Sequence, residues 1–213
     1  MKLHLGCGQV YLDGYINIDY PSSEHTVMTK MKADKYCNIK ELNYENNSID
    51  EIRLHHVFEH FSRVEACALL TNWLFWLKPN GVLHIEVPDF GKMAKIAVSG
   101  FRSSKAKFVA LRHIFGSHEA AWAIHYEGYS AKLLTMLLNQ YGYDVKKVIK
   151  TKWKHTHNIQ VIAEKSNRKL DSNQLYLKTR EWLSNYMVDE ADSEKRMLEV
   201  WMGEYKKLLN HKM

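Results

Sequence analysis

The chain has little of what would place it outside a reducing interior. It carries three cysteines in 213 residues, Cys7, Cys37 and Cys67, odd in number and far apart. That usage excludes a disulfide framework and points to a reducing, cytoplasmic compartment. No apolar run approaches the ~20 residues that a membrane-spanning helix needs. A secretory leader is not expected either, because strand-like residues begin at Lys2. With 46% hydrophobic and 25% charged residues, the composition is that of a soluble globular protein. The length suffices for one domain with a full core plus an appendage.

The net charge of +6 is unevenly spread. Residues 1–90 hold 8 Lys/Arg and 12 Asp/Glu, whereas residues 91–165 hold 13 and 4. Such a basic excess favours an anionic substrate or a nucleic acid, and a solvated basic face is the plain alternative.

The most informative stretch is the first. Lys2 to Leu5 is a short apolar-rich run that stops at Gly6-Cys7-Gly8. A second run, Tyr15 to Ile18, follows Gly14 and stops at Asp19. Two strands, one closed by a Gly-x-Gly turn and the next by a carboxylate, make a nucleoside site. The glycines allow positive φ and close approach of a ligand to the backbone. The acid accepts hydrogen bonds from a ribose, each such charged bond contributing about 1.5–3 kcal/mol.

LHLGCG followed by GYINID resembles motif I and the second strand of class I S-adenosylmethionine (SAM)-dependent methyltransferases, with Val10 where that family often has a third glycine. The resemblance implies SAM as cofactor. It sets Gly6 and Gly8 beneath the methionine portion, flanked by Leu5 and Cys7, and Asp19 on the ribose beside Tyr20. Asn38-Ile39 stands where relatives carry Asp-Ile or Asp-Leu, which makes Asn38 an adenine contact. NNSIDEIRLHHVFEHF (46–61) resembles the family's motifs III and IV and sets His56 and Glu59 by the sulfonium. LKPNGVLHIEVPDF resembles its fifth strand, and GYDV with IQVIAE its closing hairpin.

Between these landmarks the pattern alternates strand and helix, as an α/β sheet requires. Short strands are expected at 33–37, 49–54, 81–88, 143–151 and 158–164. An amphipathic helix is expected from Ser62 to Trp76, ended by the turn Pro79-Asn80-Gly81. Further helices are expected at 93–97, 105–115 and 129–141. The resemblance implies a Rossmann-like, seven-stranded, mostly parallel sheet with helices on both faces, spanning residues 1–165. Residues 166–213 read as a C-terminal helical extension of two helices, 170–187 and 194–209. Its apolar stripe through Met197, Trp201, Tyr205 and Leu208 packs on the domain or serves a homodimer.

Several groups are candidates for chemistry. His55, His56, Asp89 and His125 are the catalytic candidates, as bases or orienting groups for a nucleophile. His118, Trp122, Tyr126 and Tyr129 gather with His125 where the resemblance places the substrate mouth. His56 to His60 fits H-x-x-E-H, but the segment leaves a strand rather than lying on one helix face, so no metal is assigned. No Asn-Pro-Pro-Tyr-like motif follows the fourth strand, which disfavours amino methyltransferases of adenine and glutamine, and Cys67 inside a helix suits no cysteine-based cytosine methyltransferase. The reading is methyl transfer to a small-molecule or glycan-like, anionic acceptor, at oxygen. Its rivals are an RNA methyltransferase using the basic 92–112 segment and a SAM-binding module without catalysis.

Overall fold

The computed structural model describes residues 1–24, 27, 30 and 32–210. Part of the polar loop expected after Asp19, including His25 and Thr26, lies outside them. The strands are β1 (Lys2–Leu5), β2 (Ile16–Asp19), β3 (Lys35–Tyr36), β4 (Ile49–His55), β5 (Leu77–Pro88), β6 (Tyr143–Trp153) and β7 (Thr156–Lys165). The helices are α1 (Arg63–Trp76), α2 (Phe90–Ala97), α3 (Ser104–Phe115), α4 (Ala131–Gln140), α5 (Ser172–Ser184) and α6 (Asp192–Leu208). The strands form one sheet in the order β3-β2-β1-β4-β5-β7-β6. Neighbouring strands run parallel from β3 across to β5, and β7 runs antiparallel to both of its neighbours.

Alternation within the strands decides which side chains make the core. Leu3 and Leu5 of β1, Ile52 and Leu54 of β4, and Leu83, Ile85 and Val87 of β5 are fully buried on one face. The residues between them are polar. His4 pairs in register with Asn17 and Arg53, and Arg53 with His84, so these share the opposite face.

Helix α1 opens on a capping box. Ser62 Oγ accepts from Glu65 N–H and Glu65 Oε2 accepts from Ser62 N–H. It was expected to be amphipathic, but almost every side chain from Val64 to Trp76 is buried. The reason is a third layer: α5 and α6 cover its outer side. Tyr205 and Thr71 share a hydroxyl–hydroxyl hydrogen bond of 2.8 Å, and Asn72 Nδ2 donates to Leu208 O at 3.0 Å. On α5, Thr179 meets the Tyr141 hydroxyl at 2.6 Å. The buried stripe of α6 runs through Leu198, Met202 and Tyr205, while Met197 and Trp201 sit at its margin.

The turn expected at 79–81 also differs. The chain pairs immediately after α1, with Leu77 opposite Ile49, then bulges until Val82 faces Glu51. Asn80 takes a positive φ of 61° there, and Lys78 Nζ meets Asp50 Oδ1 at 2.8 Å. The Pro-Asn-Gly sequence is spent on a bulge inside β5 rather than on a helix-ending turn.

Because α6 shares the core with the sheet, Met202→Ala is expected to destabilise the whole chain by about 2–5 kcal/mol in one cooperative transition. Denaturant unfolding followed by tryptophan fluorescence checks this. A separate early transition would show an independent appendage.

Candidate functional site

A cavity of about 650 Å³ opens at the carboxyl ends of β1, β2 and β4. Open parallel sheets bind ligands at that edge, and the volume lies within the ~300–1,000 Å³ of small-molecule sites. Its floor is the turn Gly6-Cys7-Gly8. The N–H groups of Gly6 and Cys7 both donate to Ile18 O, at 2.8 and 3.2 Å, tying the turn to β2. Gly8 N–H donates to Asp19 Oδ2 at 2.6 Å, and Asp19 Oδ1 accepts from Tyr20 N–H at 2.7 Å. Gly6 and Gly8 have φ of 66° and 55°. A Cβ on Gly6 would lie 2.2 Å from Val57 Cγ2, so only glycine fits.

Residues 6–15, which connect β1 to β2, contain no helix. A dinucleotide site places its pyrophosphate on the helix that follows the glycine turn. This turn has no such dipole behind it, so the geometry suits a nucleoside without phosphates.

Around the floor, Tyr20, Ile39 and Phe61 supply apolar wall, and Lys40 Nζ pairs with Glu65 Oε1 at 2.6 Å. The roof is Ala121, Trp122 and Tyr126. Trp122 Nε1 donates to Glu24 O and Tyr126 N–H to Glu59 O, both at 2.9 Å. The segment doubles back through a bridge between Gly116 and Ile124, where a Cβ on Gly116 would strike Ala123 O at 2.1 Å.

The far end of the cavity is basic, with His4, Arg53, His55, His56 and His60. Arg53 Nε donates to His55 Nε2 at 3.1 Å, which fixes His55 as a neutral imidazole with its proton on Nδ1. Burial, then the charge of Arg53, pushes the His55 pKa down to about 4. Its ring neighbour His84, 5.3 Å away, is likewise held at about 4, chiefly by burial and next by Arg53. Burial lowers His4 as well. His56 differs. Burial opposes its charge, but Glu59 at 3.3 Å from Nδ1, with Glu86, raises its pKa. It also takes a φ of 54° at the end of β4, one of the few non-glycine residues that do.

Of the residues singled out from the sequence, Gly6, Cys7, Gly8, Asp19, Tyr20, Ile39, His55 and His56 line the cavity. Leu5 is buried in the core beneath it. Asn38 does not line it: its Oδ1 accepts from Lys40 N–H at 3.0 Å and caps the turn Ile39–Glu41. Asp89 is spent in the same way, capping α2 through Lys92 N–H at 3.0 Å. Glu59 and His125 meet behind the wall, with His125 Nε2 3.9 Å from Glu59 Oε1. Tyr129 is buried against Phe58, ring centroids 5.2 Å apart. His118 Nε2 is 2.9 Å from Phe115 O. The sequence reading missed His4, Lys40, Arg53, His60, Phe61 and Glu65. For Arg53 the signal was present, since Glu51, Arg53 and His55 alternate along one face of β4.

No family model matches the sequence, and no curated protein matches it either. Solved structures do. A SAM-dependent methyltransferase from Methanosarcina mazei is 15% identical, with 78% of this chain and 92% of that one covered at a TM-score of 0.50. The 1,6-didemethyltoxoflavin-N1-methyltransferase of Burkholderia thailandensis, solved with S-adenosylhomocysteine bound, is 14% identical over 78% and 71% at 0.53. One from Mesorhizobium loti is 12% identical over 76% and 89% at 0.52. The fold is that of the SAM-dependent methyltransferases. Within this methyltransferase fold, the cavity of the present chain occupies the edge that the parallel strands point to. Among the described residues no helix is long and apolar enough to cross a membrane.

Two outcomes follow from the geometry. Gly6→Ala is expected to destabilise the chain by ~1–3 kcal/mol through its positive φ and the Val57 clash. The double variant with Val57→Ala relieves the clash alone and recovers part of the loss, which chemical denaturation measures. His55 and His84 titrate at about 4 in the fold against an ordinary 6.5. Below pH 6.5 the unfolded chain therefore binds protons that the fold refuses. The stability they contribute is complete above 6.5 and declines as pH falls toward 4. Thermal midpoints between those limits should drop with acidity, and less steeply in His84→Gln.

Proposed function

We propose that this chain is a SAM-dependent methyltransferase acting at oxygen on a small or glycan-like, anionic acceptor. The observation that carries this is the glycine turn bound to the Asp19 carboxylate, floor of a cavity at the carboxyl edge of a sheet with the methyltransferase strand order. The residues fit the cofactor. The Asp19 carboxylate, oriented by the N–H groups of Gly8 and Tyr20, is the acidic group that meets a ribose hydroxyl. Gly6 and Gly8 line the cavity at positive φ with no side chain between backbone and ligand, and Tyr20 and Ile39 offer apolar surface to an adenine.

Bound SAM would supply an already activated methyl group, so the protein's task is alignment and handling of one proton. Arg53 at the far end gives an anionic acceptor its counter-charge and keeps further N–H donors beyond the one spent on His55. His55, whose Nε2 lone pair is already used, is suited to donate through Nδ1 and hold the acceptor rather than take its proton. His56 is the other imidazole of β4's end at that wall and is paired with Glu59. The donor site belongs to residues 1–165, and residues 166–213 brace it through α1.

One observation favours RNA as a rival acceptor. Phe101, Phe108 and Phe115 are exposed beside Arg102, Lys105 and Arg112 on and before α3, a pairing of aromatic and basic groups that single strands use.

Calorimetry with S-adenosylhomocysteine tests the cofactor reading. Wild type is expected to bind, and Asp19→Ala to bind roughly 10- to 150-fold more weakly, the equivalent of one charged hydrogen bond. Unchanged affinity in the variant would sink the assignment. Turnover on hydroxylated anionic small molecules against RNA then decides the acceptor, with steep salt dependence expected only for RNA.

A further inference from the structure

Behind the cavity's far wall lies a cluster that the nucleoside site does not use. Glu59, in the turn Phe58–His60, is 1% exposed, and neither of its carboxylate oxygens receives a hydrogen bond. His56 Nδ1 stands 3.3 Å from Oε1 but off the hydrogen-bonding direction. A buried carboxylate in that state calls for a positive charge or strong donors beside it.

Two further imidazoles close around it, and both are held in one tautomer. His60 Nδ1 lies 3.0 Å from Ile124 O, and His125 Nδ1 lies 3.0 Å from His113 O. A carbonyl only accepts, so each Nδ1 donates and each Nε2 is left with its lone pair. His125 Nε2 points to Glu59 Oε1 from 3.9 Å. The rings of His60 and His125 are 4.7 Å apart and nearly perpendicular. One donor atom from each of Glu59, His60 and His125 lies within 4.8 Å of the other two. Imidazoles anchored through one nitrogen on a backbone carbonyl, with the other nitrogen turned toward a shared point, are the arrangement metal ligands adopt.

We infer that Glu59, His60 and His125 form a site for one divalent metal ion of the zinc class. Two imidazoles and one carboxylate are the donor set of open, three-ligand zinc sites. They do not suit Mg²⁺, which takes oxygen ligands and keeps its waters. Bonds of ~2.0–2.2 Å draw the three donors closer than they now stand. The H-x-x-E-H pattern thus misleads on its first histidine: the second imidazole comes from His125 on the roof segment, not from His56. Because His60 also lines the cavity, the ion sits between Glu59 and the end assigned to the acceptor. A role in polarising the acceptor oxygen rests on the methyltransferase reading. Binding of the ion does not.

The test uses the full chain without an affinity tag, stripped with a chelator and titrated with Zn²⁺ and with Co²⁺. Calorimetry is expected to show one ion per chain, visible Co²⁺ bands to report nitrogen and oxygen ligands, and excess Mg²⁺ to leave binding unchanged. Glu59→Gln and His125→Asn are each expected to weaken Zn²⁺ by about 100-fold or more. Circular dichroism identifies a variant that fails to fold, and His60→Asn then takes its place. No uptake by wild type, displacement by Mg²⁺, or undiminished uptake in the folded variants overturns the inference. S-adenosylhomocysteine binding on the same samples separates the two readings. Cofactor without ion removes the metal site alone, and ion without cofactor removes the methyltransferase reading alone.

Discussion

One carboxylate organises the functional edge of this protein. Asp19 ends β2 and accepts the N–H of Gly8 from the turn that ends β1. That bond holds the far side of the turn, since no helix follows it to fix its direction. The parallel pairing of β1 with β2 brings the two ends level, and Ile18 O takes the N–H groups of Gly6 and Cys7 to hold them there. The cavity floor, its exposed backbone and the position of the Asp19 carboxylate all depend on this join.

The roof is braced from farther away. Arg63, the first residue of α1, pairs with Glu127 of the roof segment at 2.9 Å and stacks on Tyr186 at 4.0 Å and Trp201 at 5.5 Å. One guanidinium therefore touches the roof, α1 and the C-terminal helices together. Stacking and pairing at once are what a planar guanidinium provides and a lysine ammonium does not. The extension that buries α1 also fixes the segment carrying Trp122 and Tyr126 over the cavity. Core packing and site geometry are thus coupled through Arg63.

What the sequence made legible was mostly local. The ends of β1 and β2, the glycines and Asp19 lie within one short stretch, and backbone φ and chain reversal are local properties. The seven-stranded, mostly parallel sheet was legible through the resemblance of landmarks met in sequence order. Three kinds of feature were not legible. Asn38 is read from sequence as an adenine contact and Asp89 as a catalytic group, yet each satisfies a turn or helix N-terminus within its own next few residues, a competition that side chains of this type usually enter. Helix α1 read as amphipathic because nothing local announces that α5 and α6 will cover its other side. His4 required knowing that β1 lies next to β4, and Glu59 with His125 required knowing that the roof folds back on the turn after β4.

The same distinction explains the division of charge within the site. The acidic group of the cavity floor is Asp19, with its oxygens oriented by backbone N–H groups. A nucleoside bearing a sulfonium and no phosphate gains nothing from a helix dipole, and none is present behind the turn. At the opposite end Arg53 donates to a neutral histidine that does not add to its charge. Burial favours the neutral form of His4, His55 and His84, which lessens repulsion around Arg53. The open side of the sheet can therefore gather so many ionisable groups without opposing its own folding.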